Sequence, residues 1–571
     1  FPITIDPPIQ TNSEHPVIDL NVSTTSTSTS QSTQSYLLVN DTWRAYWKLS
    51  TLPSLPRGFY ITDAQISMTC YSGSANSGFV GVYDVLTDWD YTLTWNKVIN
   101  TSSPQGKPDA DFADFEYVNN SGIYSWNITE IVKKWYSETN YGIMFAPASG
   151  KTITGTVQFY SNEYYITASR PKLSINYQIM RGIESYWSYT SQSAGFAGDG
   201  AINNATGELV FTIPTLTTTD ALMPFTPTLV YNSSLATCDN TYSYVQTSYG
   251  TAFTPNGFKL NISETLLKKS YIKEDGTTEY LFVWSDGDGT EHYFMPTDTD
   301  GTYTGEDGLH LTLREYSTVC TIMDDSDNMR SFSKQSSTHS QAISGWYLTS
   351  IIDNNGNRVS FGFDSSKRPT SVNLTPNGYS AIEQLRISYT SSGYPYAVWN
   401  PTSGEGVVFR YSSTSTGSVS TSAYNYLRYV IRAHGGTTET QWSTFYNTNS
   451  NSSSGAITVD AVAEYTYINN RLATAKNNLS QYKVSYTYDS NGRITSVKET
   501  AGANNTIGQQ ISLTYGTSSV VIRTSGQNDE FNDDDDLITT YGFDTYGRVV
   551  NCYTTDLYRT KIYGASSGQY V

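Results

Sequence analysis

Charge is scarce in this chain. Charged residues make up 15% of its 571 positions, against roughly a quarter in ordinary soluble proteins. What charge there is leans acidic, with 34 Lys and Arg facing 52 Asp and Glu for a net charge of -18. That field repels phosphate backbones and anionic lipid headgroups, so neither nucleic acid nor membrane insertion is expected. Long apolar runs are also missing: nowhere do about 18 consecutive apolar residues occur, the length a spanning helix needs. Phe1 and Pro2 open the chain without a basic-then-apolar leader, which reads as a processed, soluble segment.

Cysteine is nearly absent. Cys70, Cys238, Cys320 and Cys552 lie too far apart for a metal knuckle or a CxxC pair. Buried free thiols are expected, with one long-range disulfide as the alternative. Five histidines are scattered with no HExxH spacing. The nearest to a cluster is His292 with His310, beside Glu291 and Asp307, a set that could hold a metal only if two hairpins met.

Abundant instead are Ser, Thr, Asn, Gly and, above all, 47 tyrosines. This palette suits an extracellular surface. Short runs of Val, Ile, Tyr and Phe alternate with Gly, Asn, Asp and Pro turns from end to end, the pattern of an all-β protein built of antiparallel strands. Four segments follow from the composition. Residues 1–35 form a Pro- and Ser/Thr-rich extended arm, expected to dock on a sheet edge of its own sandwich or of a neighbouring copy. Residues 36–178 form a β-sandwich of antiparallel strands. One helix is predicted there, from Asn127 to Tyr136, with Asn127 as cap and Ile128, Ile131 and Trp135 on one face. Residues 179–345 are strand-rich, and 346–571 carry repeats.

The repeats are the strongest signal. YTYDSNGRITSV from Tyr486 returns as YGFDTYGRVVNC from Tyr541 and as FGFDSSKRPTSV from Phe361. A catalytic motif occurs once, whereas a structural unit is copied as often as the architecture needs it. Aromatic residues at alternate positions (Tyr486 and Tyr488, Tyr541 and Phe543, Phe361 and Phe363) share a strand face. Asp489, Asp544 and Asp364 open a turn in which Gly492 and Gly547 supply a left-handed residue. Arg493, Arg548 and Arg368 then begin the return strand, where the guanidinium can reach turn carbonyls or a neighbouring unit's carboxylate. Worn copies are ISYTSSGYPYAV from Ile387, YTYINNRLATA from Tyr465 and ISLTYGTSSVV from Ile511.

This wording resembles YD repeats of RHS-type secreted bacterial proteins, and MPFTPTLVYN with DGTEHYF resembles the stretch that introduces them. The segment WRAYWKLSTLPSLPRGFYITDAQISM, the helix YSWNITEIVKKWY and RPKLSINY together resemble a DNRLRE-type domain, which implies a jelly-roll-like β-sandwich similar to carbohydrate-binding modules. The order is that of wall-associated secreted proteins. The resemblance implies surface attachment or glycan contact by the sandwich, and a shell of repeats that in toxin relatives encloses a separate activity.

Sites of chemistry are few. Trp89, Tyr91 and Trp95 are glycan-stacking candidates. Calcium is the one cofactor considered, at Asp286, Asp288, Asp324, Asp325 and Asp327, with the run Asp533–Asp536 as a further acidic stretch; none has EF-hand spacing. GASSG near the end fits GxSxG but lacks the strand-to-helix elbow of a serine hydrolase. No catalytic residue and no confident metal ligand is assigned. The expected protein is a non-catalytic, secreted or cell-surface structural or adhesion protein, with copies of itself and cell-wall or host glycans as partners. The delivery shell of a toxin and a glycan-binding module are the alternatives.

Overall fold

A computed structural model describes all residues except 1–16, 54–58, 72–76, 180–181, 220–221, 237–256, 273–277, 306–308, 336–343, 421–423, 527–535, 545–546 and 557–571. The first half of the arm, Cys238, Asp307, Asp533 to Asp535 and the GASSG stretch therefore lie outside the described residues. The chain is all-β and divides into two units, one formed by Pro2–Leu55 with Phe59–Gln178, the other running from Ile179 to Val571.

The first unit is a sandwich. One sheet runs Val17–Ser23, Trp43–Leu49, Ile143–Pro147, Ser77–Val85, Pro108–Val118, and the other Lys172–Ile179, Phe59–Cys70, Val157–Tyr160, Tyr36–Val39. Trp126, fully buried, ties the layers: its ring meets Phe145 of one sheet at 5.1 Å and Phe159 of the other at 5.6 Å. Its indole N–H donates to the Val80 carbonyl at 2.8 Å, so this buried ring carries no unmet donor. Of the two places expected for the arm, its described part takes the one on its own sandwich: VIDLNVS pairs along its whole length with Trp43–Leu49, from Val17 opposite Leu49 to Ser23 opposite Trp43. Its alternating apolar residues outweigh the polar tract that follows, and this part of the arm docks on its own sandwich. The helix spans Thr129–Ser137 and its cap is Ile128, not Asn127, whose carboxamide oxygen accepts from the Thr129 N–H at 3.0 Å in a turn just before it. Ile128, Ile131 and Trp135 enter the core as expected.

The second unit contains two sheets. Five strands, Tyr189–Ser193, Asp199–Asn203, Leu209–Pro214, Thr228–Asn232 and Phe258–Leu260, form a meander. The rest is one sheet of 23 strands in strict sequence order from Thr265–Ile272 to Val549–Asp556. Its first eight strands close on themselves, because the start of Ser344–Ile352 pairs back to Thr265–Ile272 while its end continues to Arg358–Phe363. Each hairpin is a local contact, so the sheet is assembled from neighbours in sequence, as stacked repeats require.

The five-stranded meander and the long sheet share one hydrophobic core. Phe211 lies edge-on to Tyr465 and Tyr486, at 6.4 and 6.3 Å between ring centres. The polar atoms are matched as well: Gln192 donates to the Tyr486 hydroxyl at 2.9 Å, Tyr465 donates to the Ala197 carbonyl at 2.6 Å, and the Leu472 N–H donates to the Tyr231 hydroxyl at 2.9 Å. The buried face of the repeat sheet therefore packs on the chain's own second sheet.

A helix that periodicity did not reveal, Glu439–Asn447, interrupts the repeats. Thr438 and Gln441 form a capping box at its start. At its end Arg410, fully buried, donates to the carbonyls of Tyr446, Phe445 and Ser450 at 2.6, 3.0 and 2.7 Å. A cation at a helix C-terminus meets the negative end of the dipole and satisfies carbonyls that the helix leaves open. Of the thiols, Cys70 and Cys320 are buried and free, whereas Cys552 is free but exposed on the last strand, contrary to expectation.

Candidate functional site

The repeat motif resolves into one turn, used again and again. At Asp364, Asp489 and Asp544 one carboxylate oxygen accepts the N–H of the arginine four residues on, and the other accepts its Nε at 2.7 to 2.8 Å. Backbone bonds close the same ring each time: the aspartate N–H donates to the arginine carbonyl, and the residue before the arginine donates to the aspartate carbonyl. That residue has positive φ, +87° at Gly492, +73° at Gly547 and +61° at Lys367. The arginine thus pairs within its own turn, not with a neighbouring unit. Asp324 and Asp353 build the same turn with Asn328 and Asn357 in the arginine's place, the side-chain amide donating at 2.9 and 2.8 Å. Asp324 is accordingly a turn closer, and Asp325 and Asp327 point to solvent; these three do not converge as a calcium cage.

A second device holds neighbouring units. The tyrosine just before the turn donates its hydroxyl to the carbonyl just after an earlier turn: Tyr389 to Pro369 at 2.6 Å, Tyr488 to Leu472 and Tyr515 to Ile494 at 2.7 Å, and Tyr411 to Pro395. The arginine lies over the same ring at Arg368–Tyr389 and Arg493–Tyr515, 4.9 and 4.7 Å from its centre. Burial pushes the Tyr389 and Tyr488 phenols well above their usual range, so both stay neutral donors. Sequence reading missed this lock. Its signal was present: worn copies such as ISYT and LTYG lose aspartate and arginine but keep this tyrosine.

The turn at Asp286 departs from the others. Its Oδ1 accepts the N–H groups of Asp288, Gly289 and Thr290 at 2.9 to 3.1 Å. Its fourth residue is Thr290, whose hydroxyl goes instead to Asp288 at 2.7 Å. Oδ2 faces His292 Nε2 at 3.7 Å, and Glu184 approaches the same nitrogen at 3.2 Å. His292 is buried and lies on Trp284, ring centres 4.9 Å apart. Buried Lys259 donates to the Asp286 carbonyl, and buried Glu264 accepts from the Trp284 indole at 3.0 Å. Burial would raise the Asp286 carboxyl, but the neighbouring His292 and the Lys259 charge together hold it below the usual range. Asp288 is pushed up to about 7 by burial and by the Asp286 charge. His310 is elsewhere, exposed and 3.5 Å from Asp325. The anticipated pairing of His292 with His310 therefore does not form, because their hairpins present them to different surroundings.

On the sandwich the anticipated stacking platform is dismantled by burial. Trp89 is 3% exposed and its indole donates to the Tyr141 carbonyl at 2.7 Å, while Trp95 packs on the same small core. Only Tyr91 is open. A different aromatic surface exists, made of Tyr36, Tyr71, Tyr160, Tyr164 and Tyr165. Tyr36 and Tyr160 are cross-strand partners, Tyr160 and Tyr164 lie 4.1 Å apart at 36°, and Tyr165 is 80% exposed. Tyr71 touches Tyr36 and Tyr160 at 4.9 and 5.9 Å. The turn bearing Tyr164 is fixed from below, where the Asn162 N–H donates to buried Asp19 at 2.8 Å.

No family model and no curated protein matches the chain. Among solved structures it is similar to "Crystal Structure of TcdB2-TccC3-TEV", at 10% identity and a TM-score of 0.27, over 64% of this chain and 22% of that one. It is also similar to "Truncated AlyQ with CBM32 and alginate lyase domains", at 7% identity and a TM-score of 0.20, over 64% of this chain and 81% of that one. The chain thus spans about a fifth of the length of the first. No helix among the described residues is long and apolar enough to cross a membrane.

Proposed function

We propose that this chain is a non-catalytic extracellular scaffold that makes adhesive contact with glycans. The observation that carries this reading is the filled interior of the second unit. A shell built to enclose a separate activity leaves its inner face free for cargo, whereas here that face is occupied by Phe211, Gln192 and Tyr231 of the chain's own sheet. The repeats' aspartates, arginines and tyrosines are likewise consumed in closing turns and joining strands.

The surface presented is the tyrosine cluster of the sandwich, the unit whose motifs resemble a DNRLRE-type domain. Tyrosine offers a sugar both a stacking face and a hydroxyl. The expected result is that the full chain is depleted from solution by insoluble bacterial cell-wall polysaccharide. Replacing Tyr164 and Tyr165 together by alanine should weaken this roughly tenfold, as the loss of one or two stacking contacts implies. Equal depletion of the double variant would sink the assignment of this surface.

A further inference from the structure

We propose that Glu184, Asp286 and His292 bind one divalent transition-metal ion of the zinc class. The three ligand atoms lie within 4.8 Å of one another. The separations from His292 Nε2, 3.2 Å to Glu184 and 3.7 Å to Asp286, bracket the edge of a tetrahedron drawn with metal bonds of about 2.0–2.1 Å, which is roughly 3.3 Å. An imidazole nitrogen selects such an ion over calcium, which prefers oxygen throughout. The calcium reading of Asp286 and Asp288 gives way for that reason. Asp288 spends its two oxygens on Thr290 and on the Ile183 N–H at 3.0 Å.

Comparison with the sister turns is the independent observation. At Asp364, Asp489 and Asp544 the second carboxylate oxygen is taken by the arginine four residues on, and at Asp324 and Asp353 by an asparagine amide. Of these six turns among the described residues, the Asp286 turn alone gives up that donor while keeping the backbone bonds that fix the carboxylate. Its second oxygen faces a histidine that is 2% exposed and held by ring packing on Trp284. The third ligand is anchored too: the Glu184 N–H donates to the Tyr189 hydroxyl at 2.8 Å, and that hydroxyl donates to the Gly182 carbonyl at 3.0 Å. All three carriers are positioned by contacts that need no metal, as a preorganised site requires. Bound there, the ion would staple the segment that begins the second unit onto the hairpin of Thr278–Ser285 and Glu291–Pro296.

The test loads the chelator-treated full chain with Co2+ or Zn2+. One equivalent of zinc should survive gel filtration, and the cobalt form should show the intense visible d–d bands of a tetrahedral site. Glu184→Gln replaces a ligand at the rim and should weaken affinity about tenfold or more while leaving the circular dichroism spectrum unchanged. Asp286→Asn, which keeps an oxygen for the backbone amides, should do the same. Failure to retain either metal, or retention that both variants leave unchanged, overturns the proposal: the trio would then be a histidine–carboxylate ion pair, or the metal would sit elsewhere.

Discussion

Phe211→Ala is expected to cost about 3–5 kcal/mol, the range for emptying a buried phenylalanine site. The side chain is fully buried between the two sheets of the second unit and meets Tyr465 and Tyr486 edge to face. Those tyrosines cannot collapse into the void, because their hydroxyls are tied to Ala197 and Gln192. Phe211→Leu keeps most of the volume and should cost less than about 1.5 kcal/mol. Because the chain has two units, a single melting temperature would mix two processes. Amide exchange separates them: peptides covering 463–497 should lose protection in Phe211→Ala, while those from Trp43–Leu49 and Ile143–Pro147 keep it. Loss of less than about 1 kcal/mol would mean that the meander is not part of the core.

Gly492→Val should cost about 2–4 kcal/mol by two additive routes. The residue sits at φ +87°, where a β-branched side chain is strained by about 1–3 kcal/mol. A Cβ there would also run into Arg471 Nη2, displacing a guanidinium that lies over the Tyr488 ring. Gly502 separates the two, with φ +70° and nothing within 4 Å of a built Cβ. The same substitution at Gly502 should cost only the strain, so the difference between the two variants reads the contact. Equal losses would show that Arg471 moves aside freely.

What the sequence disclosed followed the reach of its signals. The all-β class and the repeat turns were legible because Asp, Gly and Arg act within five residues, and a copied local motif identifies itself. YTYINNRLATA, one residue short, forms a two-residue turn with Asn469 and Asn470 both at positive φ, as its asparagines indicate. The tyrosine locks were not legible, since donor and acceptor stand 16 to 21 residues apart. The helix Glu439–Asn447 hid among strands, although Thr438 and Gln441 mark its start and Trp442, Phe445 and Tyr446 share its buried face. The strand at residues 17–23 was legible from its alternation, but which sheet edge it joins was not, since its partner Trp43–Leu49 is fixed only by folding. Trp89 and Trp95 were singled out by type, and type does not report burial. The histidine cluster was half visible: His292 and Asp286 were noticed, but Glu184 joins them across a distance only folding closes.

The central claim, a scaffold that binds without turnover, is tested most directly by incubating the zinc-loaded full chain with cell-wall polysaccharide and counting released reducing ends and cleaved peptide bonds. Loading with zinc gives any hydrolytic chemistry at His292 its best chance. The account predicts that protein is retained on the polymer while released products stay at the level of a protein-free control. Products exceeding one equivalent per chain, abolished by Glu184→Gln or Asp286→Asn, would contradict it.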